Sequence, residues 1–189
     1  MNRLIIVGSP RVDGRSAALA EQLFEACVED CPEDEVALVP VATLDIGGCR
    51  GCDQCRETDE GGAHRCVIEG DDMRELYALL DDADELVVVS PVYFAGPPAQ
   101  LKALLDRLQP YFWSDARAGA KRPAVLHVVG EGGDTHGFEP LVGIVRSALA
   151  CAGFTLETVY DWVGKIDENG QITAEADVRD AACEGQRRA

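Results

Sequence analysis

Four cysteines in the first half of the chain have a spacing that could bind a metal. Cys49, Cys52 and Cys55 form a C-x-x-C-x-x-C pattern, and Cys66 follows after ten further residues. Four thiolates in such a set can ligate a [4Fe–4S] cluster or a tetrahedral zinc ion. The alternative is a loop of reduced thiols without a metal. Residue types and spacing leave these three interpretations open.

The segment GSPRVDGRSA has the features of an anion-binding turn. It follows an apolar, strand-like run and leads into a helical pattern, so the backbone N–H groups at the helix start point toward an anion. Ser9 and Ser16 supply hydroxyl donors, while Arg11 and Arg15 supply positive charge. The alternative is an ordinary helix start, with Ser16 as the cap and Gly14 in the turn.

Two later loops could hold a flat ring. In SPVYFAGPP, prolines stiffen the backbone beside Tyr93 and Phe94, against which a planar heterocycle could stack or hydrogen-bond. The alternative is a helix start whose aromatic residues lie in the core. In the later GEGG segment, Gly130, Gly132 and Gly133 allow close backbone approach to a ligand, or form a loose turn.

The elements that must position these loops alternate between strand and helix. Short apolar runs rich in valine and isoleucine predict strands, and apolar residues at helical spacing predict helices. The predicted strands are 3–8, 35–41, 85–93, 123–130 and 154–160. The predicted helices are 16–29, 71–83, 97–112, 138–153 and a weaker one at about 171–187.

This alternation predicts the α/β class. Nearly continuous apolar strands are typical of a parallel sheet that is buried on both faces. We expect a three-layer, doubly wound, five-stranded parallel sheet in the order 2-1-3-4-5. One domain would span residues 1–189, with a cysteine-rich insertion at 45–70. The carboxyl ends of the strands then meet at one edge, where the three loops would bind a phosphate and a flat ring, as in an FMN site.

The chain is strongly acidic, which limits its partners. It has 34 acidic and 17 basic residues and a formal net charge of −17. Phosphate backbones and anionic lipid surfaces are repelled by such a charge, so neither nucleic acid nor a membrane is an expected partner. No apolar run approaches the roughly 20 residues of a membrane helix. The N-terminus lacks the pattern of a signal peptide, so we expect a cytoplasmic protein whose cysteines are thiols or metal ligands.

Four segments together resemble a known family over roughly residues 3–160. GSPRVDGRSAALAEQL, CRGCDQC, SPVYFAGPPAQLKALLDR and the GEGG turn are similar to the NAD(P)H-dependent FMN reductase group of flavodoxin-like proteins. More narrowly, they resemble its iron–sulfur flavoprotein branch. The resemblance implies a flavodoxin-like fold, non-covalent FMN, and a homodimer or homotetramer.

The resemblance also implies a set of cofactor-binding residues. It assigns the FMN phosphate to Ser9, Arg11, Gly14, Arg15, Ser16 and Ala17. It assigns the isoalloxazine ring to Pro91, Val92, Tyr93, Phe94, Ala95, Gly96, Glu131, Gly132 and Gly133. Two departures stand out: the gap before Cys66 is longer than is usual in the iron–sulfur branch, and Arg15 replaces a small polar amide.

The implied function is flavin-dependent oxidation and reduction. NAD(P)H would act as a transient co-substrate, and the acceptor would be a quinone, a nitro compound or a flavin. With a [4Fe–4S] cluster on Cys49, Cys52, Cys55 and Cys66, a ferredoxin-like protein could be the partner. The alternative is a non-enzymatic electron carrier or redox sensor. No residue is identified as a catalytic acid or base.

Overall fold

Six strands form one sheet in the computed structural model, which describes residues 1–181. The strands are β1 (Asn2–Val7), β2 (Glu35–Pro40), β3 (Glu85–Pro91), β4 (Arg122–Val129), β5 (Phe154–Asp161) and β6 (Asp177–Asp180). Their order in the sheet is β2-β1-β3-β4-β5-β6. The first five are parallel, which confirms the predicted order, while β6 pairs with β5 in the antiparallel direction.

Helices cover both faces of the sheet. They are α1 (Arg15–Asp30), α2 (Met73–Asp82), α3 (Ala99–Asp106), α4 (Gln109–Trp113) and α5 (Glu139–Cys151). Side chains alternate across each strand, so Leu4 and Ile6 join the core under α2, α3 and α5. Ile5 and Val7 join the second core with Leu19 of α1. Burial on both faces explains the continuous apolar strands. Within residues 1–181, no helix combines the length and apolar character that crossing a bilayer requires.

The predicted helix at 97–112 is wrong in its extent, because it is two helices, α3 and α4. Pro110 explains the break. Proline lacks a backbone N–H, and its ring collides with the carbonyl four residues earlier, here that of Asp106, where α3 ends. Proline is tolerated in the first turn of α4, where no intrahelical donor is needed. The break leaves Arg107 at the end of α3, inside the protein.

The predicted helical tail at about 171–187 is also wrong where the structure describes it. Residues 177–180 form β6, and residues 182–187 lie outside the described residues. The edge of β5 would otherwise present unpaired N–H and C=O groups, which β6 satisfies. Ala181 then joins the core at 2% exposure. Pairing with a distant strand therefore outweighs the weak helical pattern of this segment.

His127 of β4 is expected to make stability depend on pH. The side chain is 5% exposed, and its Nδ1 accepts a hydrogen bond from Trp162 Nε1 at 2.9 Å. Burial lowers the pKa of His127 to about 4. Between that value and the ordinary pKa of about 6.5, only the unfolded chain binds the proton. The free energy of unfolding should therefore fall by roughly 3 kcal/mol from this group between pH 7 and pH 4.

Chemical denaturation of His127→Gln and wild-type protein across that pH range tests this expectation. The variant should show a shallower loss of stability at low pH. His136→Gln is the matched control, because His136 is an exposed loop residue, and it should leave the slope unchanged. Equal slopes for His127→Gln and wild type would contradict the prediction.

Candidate functional site

The loops after β1, β3 and β4 meet at one edge of the sheet, as predicted. The strands are in register there, so Gly8 N donates to Val89 O at 2.7 Å and Val92 N donates to Val129 O at 3.1 Å. A cavity of about 660 Å³ opens between the loops, within the roughly 300–1,000 Å³ range of small-molecule sites. Of the predicted binding residues, its lining contains Ser9, Arg11, Gly14, Arg15, Ser16, Pro91, Val92, Tyr93, Glu131, Gly132 and Gly133.

One end of the cavity is suited to an anion. The first turn of α1 has free backbone N–H groups, carries no acidic residue, and is not capped by a side chain at Gly14. Ser9 and Ser16 are 4% and 3% exposed and line the cavity beside this turn. Ser9 Oγ accepts a hydrogen bond from Arg11 N at 3.1 Å, which sets the shape of the turn. This end has the donors and the helix dipole that a phosphate needs.

Arg15 joins the anion end of the cavity to the loop after β4. Its Nη1 lies 2.8 Å from Glu131 Oε1, and its Nε donates to Asp167 O at 3.0 Å. The hydrogen bond and charge of Arg15 lower the pKa of Glu131, so the carboxylate stays ionised. Both predicted residues line the cavity, and their side chains form an ion pair with each other. Arg15 is thereby held in place by protein partners.

The turn after β3 places some predicted residues outside the cavity. Tyr93 N donates to Gly96 O at 2.9 Å and Gly96 N donates to Tyr93 O at 3.0 Å, closing a two-residue hairpin. Phe94 and Ala95 have φ values of 51° and 63°, which such a turn requires. Phe94 is fully exposed, and Ala95 is buried. The predicted residues outside the lining are Ala17, Phe94, Ala95 and Gly96. Their contact with a cofactor stays a prediction.

Phe94→Asn is expected to raise the free energy of unfolding by about 1 kcal/mol. The left-handed conformation costs an ordinary L residue roughly 1–2 kcal/mol, and asparagine adopts it more readily. Because the ring at position 94 is fully exposed, the change loses no packing. Urea unfolding measures the difference. Phe112→Asn is the comparison: the Phe112 ring is half-exposed and packs on Trp113, so its loss should lower the free energy of unfolding. A lower free energy of unfolding in Phe94→Asn would contradict the prediction, because it would show that the Phe94 ring makes stabilising contacts.

The loop after β5 contributes residues that sequence reasoning missed. Asp161 is the last residue of β5 and Val163 follows that strand, at the same edge of the sheet, so the rule applied to the other strands would have found them. No local sequence pattern indicated Lys165 and Asp177. They reach the cavity only because the chain runs past it toward β6. Lys165 Nζ donates to Asp161 O and Asp177 Oδ2, both at 2.9 Å. The other lining residues are Val129, Gly130, Asp134, Gly137 and Phe138.

All four predicted cysteine ligands line a second cavity of about 250 Å³. Burial raises the pKa of Cys55, and the negative charges of Cys66, Cys49 and Cys52 as thiolates raise it further. Four thiols around one cavity are the donor set of a [4Fe–4S] cluster. Within residues 1–181, no group of three or more His, Cys, Asp or Glu side chains is arranged to hold a metal ion. The metal site therefore stays a prediction.

Comparison with known proteins identifies relatives of the chain. The family model described as NADPH-dependent FMN reductase matches residues 1–160. An iron–sulfur flavoprotein of Methanocaldococcus jannaschii is 38% identical over 105 residues, which cover 56% of this chain and 50% of that protein. The chain thus spans about half the length of the curated relatives it matches.

Solved structures share the fold. RosB with bound 8-demethyl-8-formylriboflavin-5′-phosphate has a TM-score of 0.64 at 17% identity, over 100% of this chain and 71% of that one. The apo form of the NADH:FMN oxidoreductase EMOB has a TM-score of 0.57 at 25% identity, over 85% of this chain and 74% of that one. At 17% identity, the similarity to RosB shows the fold alone. Both solved structures agree with a flavodoxin-like sheet in this chain.

Proposed function

The chain belongs to the NADPH-dependent FMN reductase family, and from this premise we propose that it is an FMN-dependent oxidoreductase. The observation that carries the proposal is the 660 Å³ cavity at the carboxyl edge of β1, β3 and β4. It combines an anion-binding helix start with an open space bounded by a proline-stiffened rim and a glycine turn. In a sheet of this order, FMN sites lie at the switch point between β1 and β3.

The residues of the cavity divide into two binding roles. The first turn of α1, with Ser9 and Ser16, would hold the FMN phosphate by N–H and O–H donation. Val92 and Tyr93 on one side would bound the ring. On the other side Gly132, with φ of 92°, allows the backbone to come close. FMN, when bound, supplies the hydride and electron transfer chemistry. The protein binds it, orients it and limits access of water.

Reduced nicotinamide would be the electron donor, and a quinone, a nitro compound or a flavin would be the acceptor. The family description names NADPH, whereas the related solved enzyme is named for NADH. Neither nucleotide has a dedicated binding motif in the chain, so we expect it to dock transiently against the flavin. A homodimer or homotetramer is part of the proposal, since closure over the ring by a second subunit would complete the open side of the cavity.

Anaerobic mixing with NADH and NADPH tests the proposal. The purified protein should release FMN on denaturation, and the blue flavin absorption should bleach rapidly with one nucleotide. If protein that was refolded with excess FMN retains no FMN, the FMN site is refuted. FMN that binds but bleaches only with a chemical reductant would refute the nicotinamide-dependent enzyme.

The second candidate is an electron carrier or redox sensor. The observation in its favour is the cavity lined by four cysteines, which could hold a cluster as a second redox centre beside the flavin. The acidic net charge would also suit a basic protein partner. A ferredoxin-like donor or acceptor fits this function. Flavin bleaching by such a protein, without bleaching by either nucleotide, would favour the carrier over the enzyme.

A further inference from the structure

The positive charge on the wall of the cavity of about 660 Å³ is concentrated at its anion end. Arg11 and Arg15 lie in the turn and helix start where the FMN phosphate would bind. In the remainder of the described lining, Lys165 is the one basic side chain. A second substrate that docks beside the flavin, away from the anion end, therefore depends on Lys165 for any direct pairing with a phosphate.

Lys165 is already neutralised by the protein. Its Nζ lies 2.9 Å from Asp177 Oδ2 and donates to Asp161 O at 2.9 Å. The Lys165 side chain is 16% exposed, whereas that of Asp177 is 83% exposed. An ion pair with a solvent-exposed partner adds little to stability, so its main effect is on the charge that the cavity presents. Lys165 thus offers little positive charge to a phosphate.

Two further carboxylates of the lining hold backbone turns rather than cations. Asp134 Oδ1 and Asp161 Oδ1 each accept a hydrogen bond at 2.8 Å from a backbone N–H two residues later. Within residues 1–181, neither carboxylate takes part in an ion pair. Apart from the Arg15–Glu131 pair, the lining away from the anion end holds three carboxylates against one ammonium group. The net charge of −17 adds a field of the same sign.

On the premise of the flavin-dependent function proposed above, we propose that the cavity selects its second substrates by charge: NADH is preferred to NADPH as the donor, and an uncharged planar acceptor is preferred to a phosphorylated one. Asp177 is the specificity-determining residue, because it neutralises the cation that would otherwise pair with a phosphate. A phosphate monoester carries about −1.5 to −2 charge at pH 7, and a ligand that brings such a charge to unpaired carboxylates is rejected. NADPH differs from NADH by this one group.

Anaerobic bleaching of the FMN-loaded protein with each nucleotide measures the preference for the donor. At low ionic strength the second-order rate constant should be at least about fivefold larger with NADH, which is the effect of one unit charge at about 4 Å in water. The ratio should approach one at about 1 M salt, where the Debye length is about 3 Å. Reoxidation of the reduced protein by riboflavin and by FMN compares two acceptors with the same ring, and riboflavin should react faster.

Asp177→Asn should lower the NADH-to-NADPH ratio by at least about threefold, because Lys165 is then free to pair with the phosphate. Glu175→Gln is the matched control: Glu175 is exposed, lies two residues earlier and outside the cavity lining, and its loss changes the net charge equally. It should leave the ratio unchanged. Calorimetric titration with NAD⁺ and NADP⁺ provides a readout independent of turnover, and the two dissociation constants should converge in Asp177→Asn but not in the control.

Failure of the charge selection is distinguishable from failure of the flavin-dependent function. Bleaching by NADPH as fast as by NADH in the wild type, or equal shifts of the ratio in Asp177→Asn and Glu175→Gln, would overturn the charge selection and leave the oxidoreductase function intact. A preference for NADH that persists at high salt would also overturn it, because shape rather than charge would then discriminate. An FMN-loaded protein that neither nucleotide bleaches would refute the nicotinamide-dependent function, and the charge selection with it.

Discussion

Ser16→Asp is expected to weaken FMN binding by at least about 100-fold, while riboflavin binding changes by less than about threefold. Ser16 lies in the first turn of α1, is 3% exposed, and lines the anion end of the cavity. A carboxylate there would repel the phosphate and replace a hydroxyl donor. Riboflavin has the same ring but no phosphate, so it reports on the rest of the site.

The same substitution should leave the fold intact. A negative charge in the first turn of a helix is favourable by about 0.3–1 kcal/mol, because it interacts with the positive end of the dipole. Titration of apo-protein with both ligands, followed by flavin fluorescence, measures the effect. Ser16→Ala is the control and should cost FMN about tenfold, since it removes a hydrogen bond without adding charge. Equal weakening of FMN and riboflavin by Ser16→Asp would contradict a phosphate site at α1.

Asp71→Asn should lower the free energy of unfolding by about 3–5 kcal/mol. Asp71 is the carboxylate partner of Arg107, and its side chain also accepts from Gly47 N and Met73 N, both at 3.3 Å. Burial alone would raise the pKa of Asp71, but the hydrogen bonds and charge of Arg107 outweigh it, so the pKa is lowered and the carboxylate stays ionised. An amide would leave the Arg107 charge buried without a counterion.

Asp106→Asn provides the matched comparison. Asp106 pairs with Lys102 at 2.6 Å on the surface, where both side chains are more than one-third exposed. Loss of such a pair should cost less than about 0.5 kcal/mol. Denaturation of the two variants in urea gives the two free energies side by side. Similar small losses for both would mean that the Arg107–Asp71 pair is solvated in solution.

Local sequence patterns predicted much of the fold. Continuous apolar runs predicted parallel strands buried on both faces, and the sheet has the order that they implied. The three loops predicted to meet do so, because the carboxyl ends of parallel strands share one edge. The fourth cysteine likewise returns to the cavity of the first three. Each of these features depends on residue spacing along a short stretch, or on a rule of chain connection that holds for many sequences.

Local patterns failed where one segment meets another far away in the chain. The tail segment has a weak helical pattern, yet residues 177–180 pair with the edge of β5 and form β6. Small local preferences of a few tenths of a kcal/mol cannot compete with backbone pairing and burial.

From its residues alone, this protein is determined to be a doubly wound α/β chain with a serine- and arginine-containing turn, an aromatic loop and a glycine turn at one sheet edge, and with four cysteines in one insertion. Only the tertiary structure decided that Arg15 pairs with Glu131 across the cavity and that Arg107 joins both ends of the cysteine insertion. The physical reason is sequence separation. Burial and pairing between distant segments exist only once the chain has folded, so no local pattern records them.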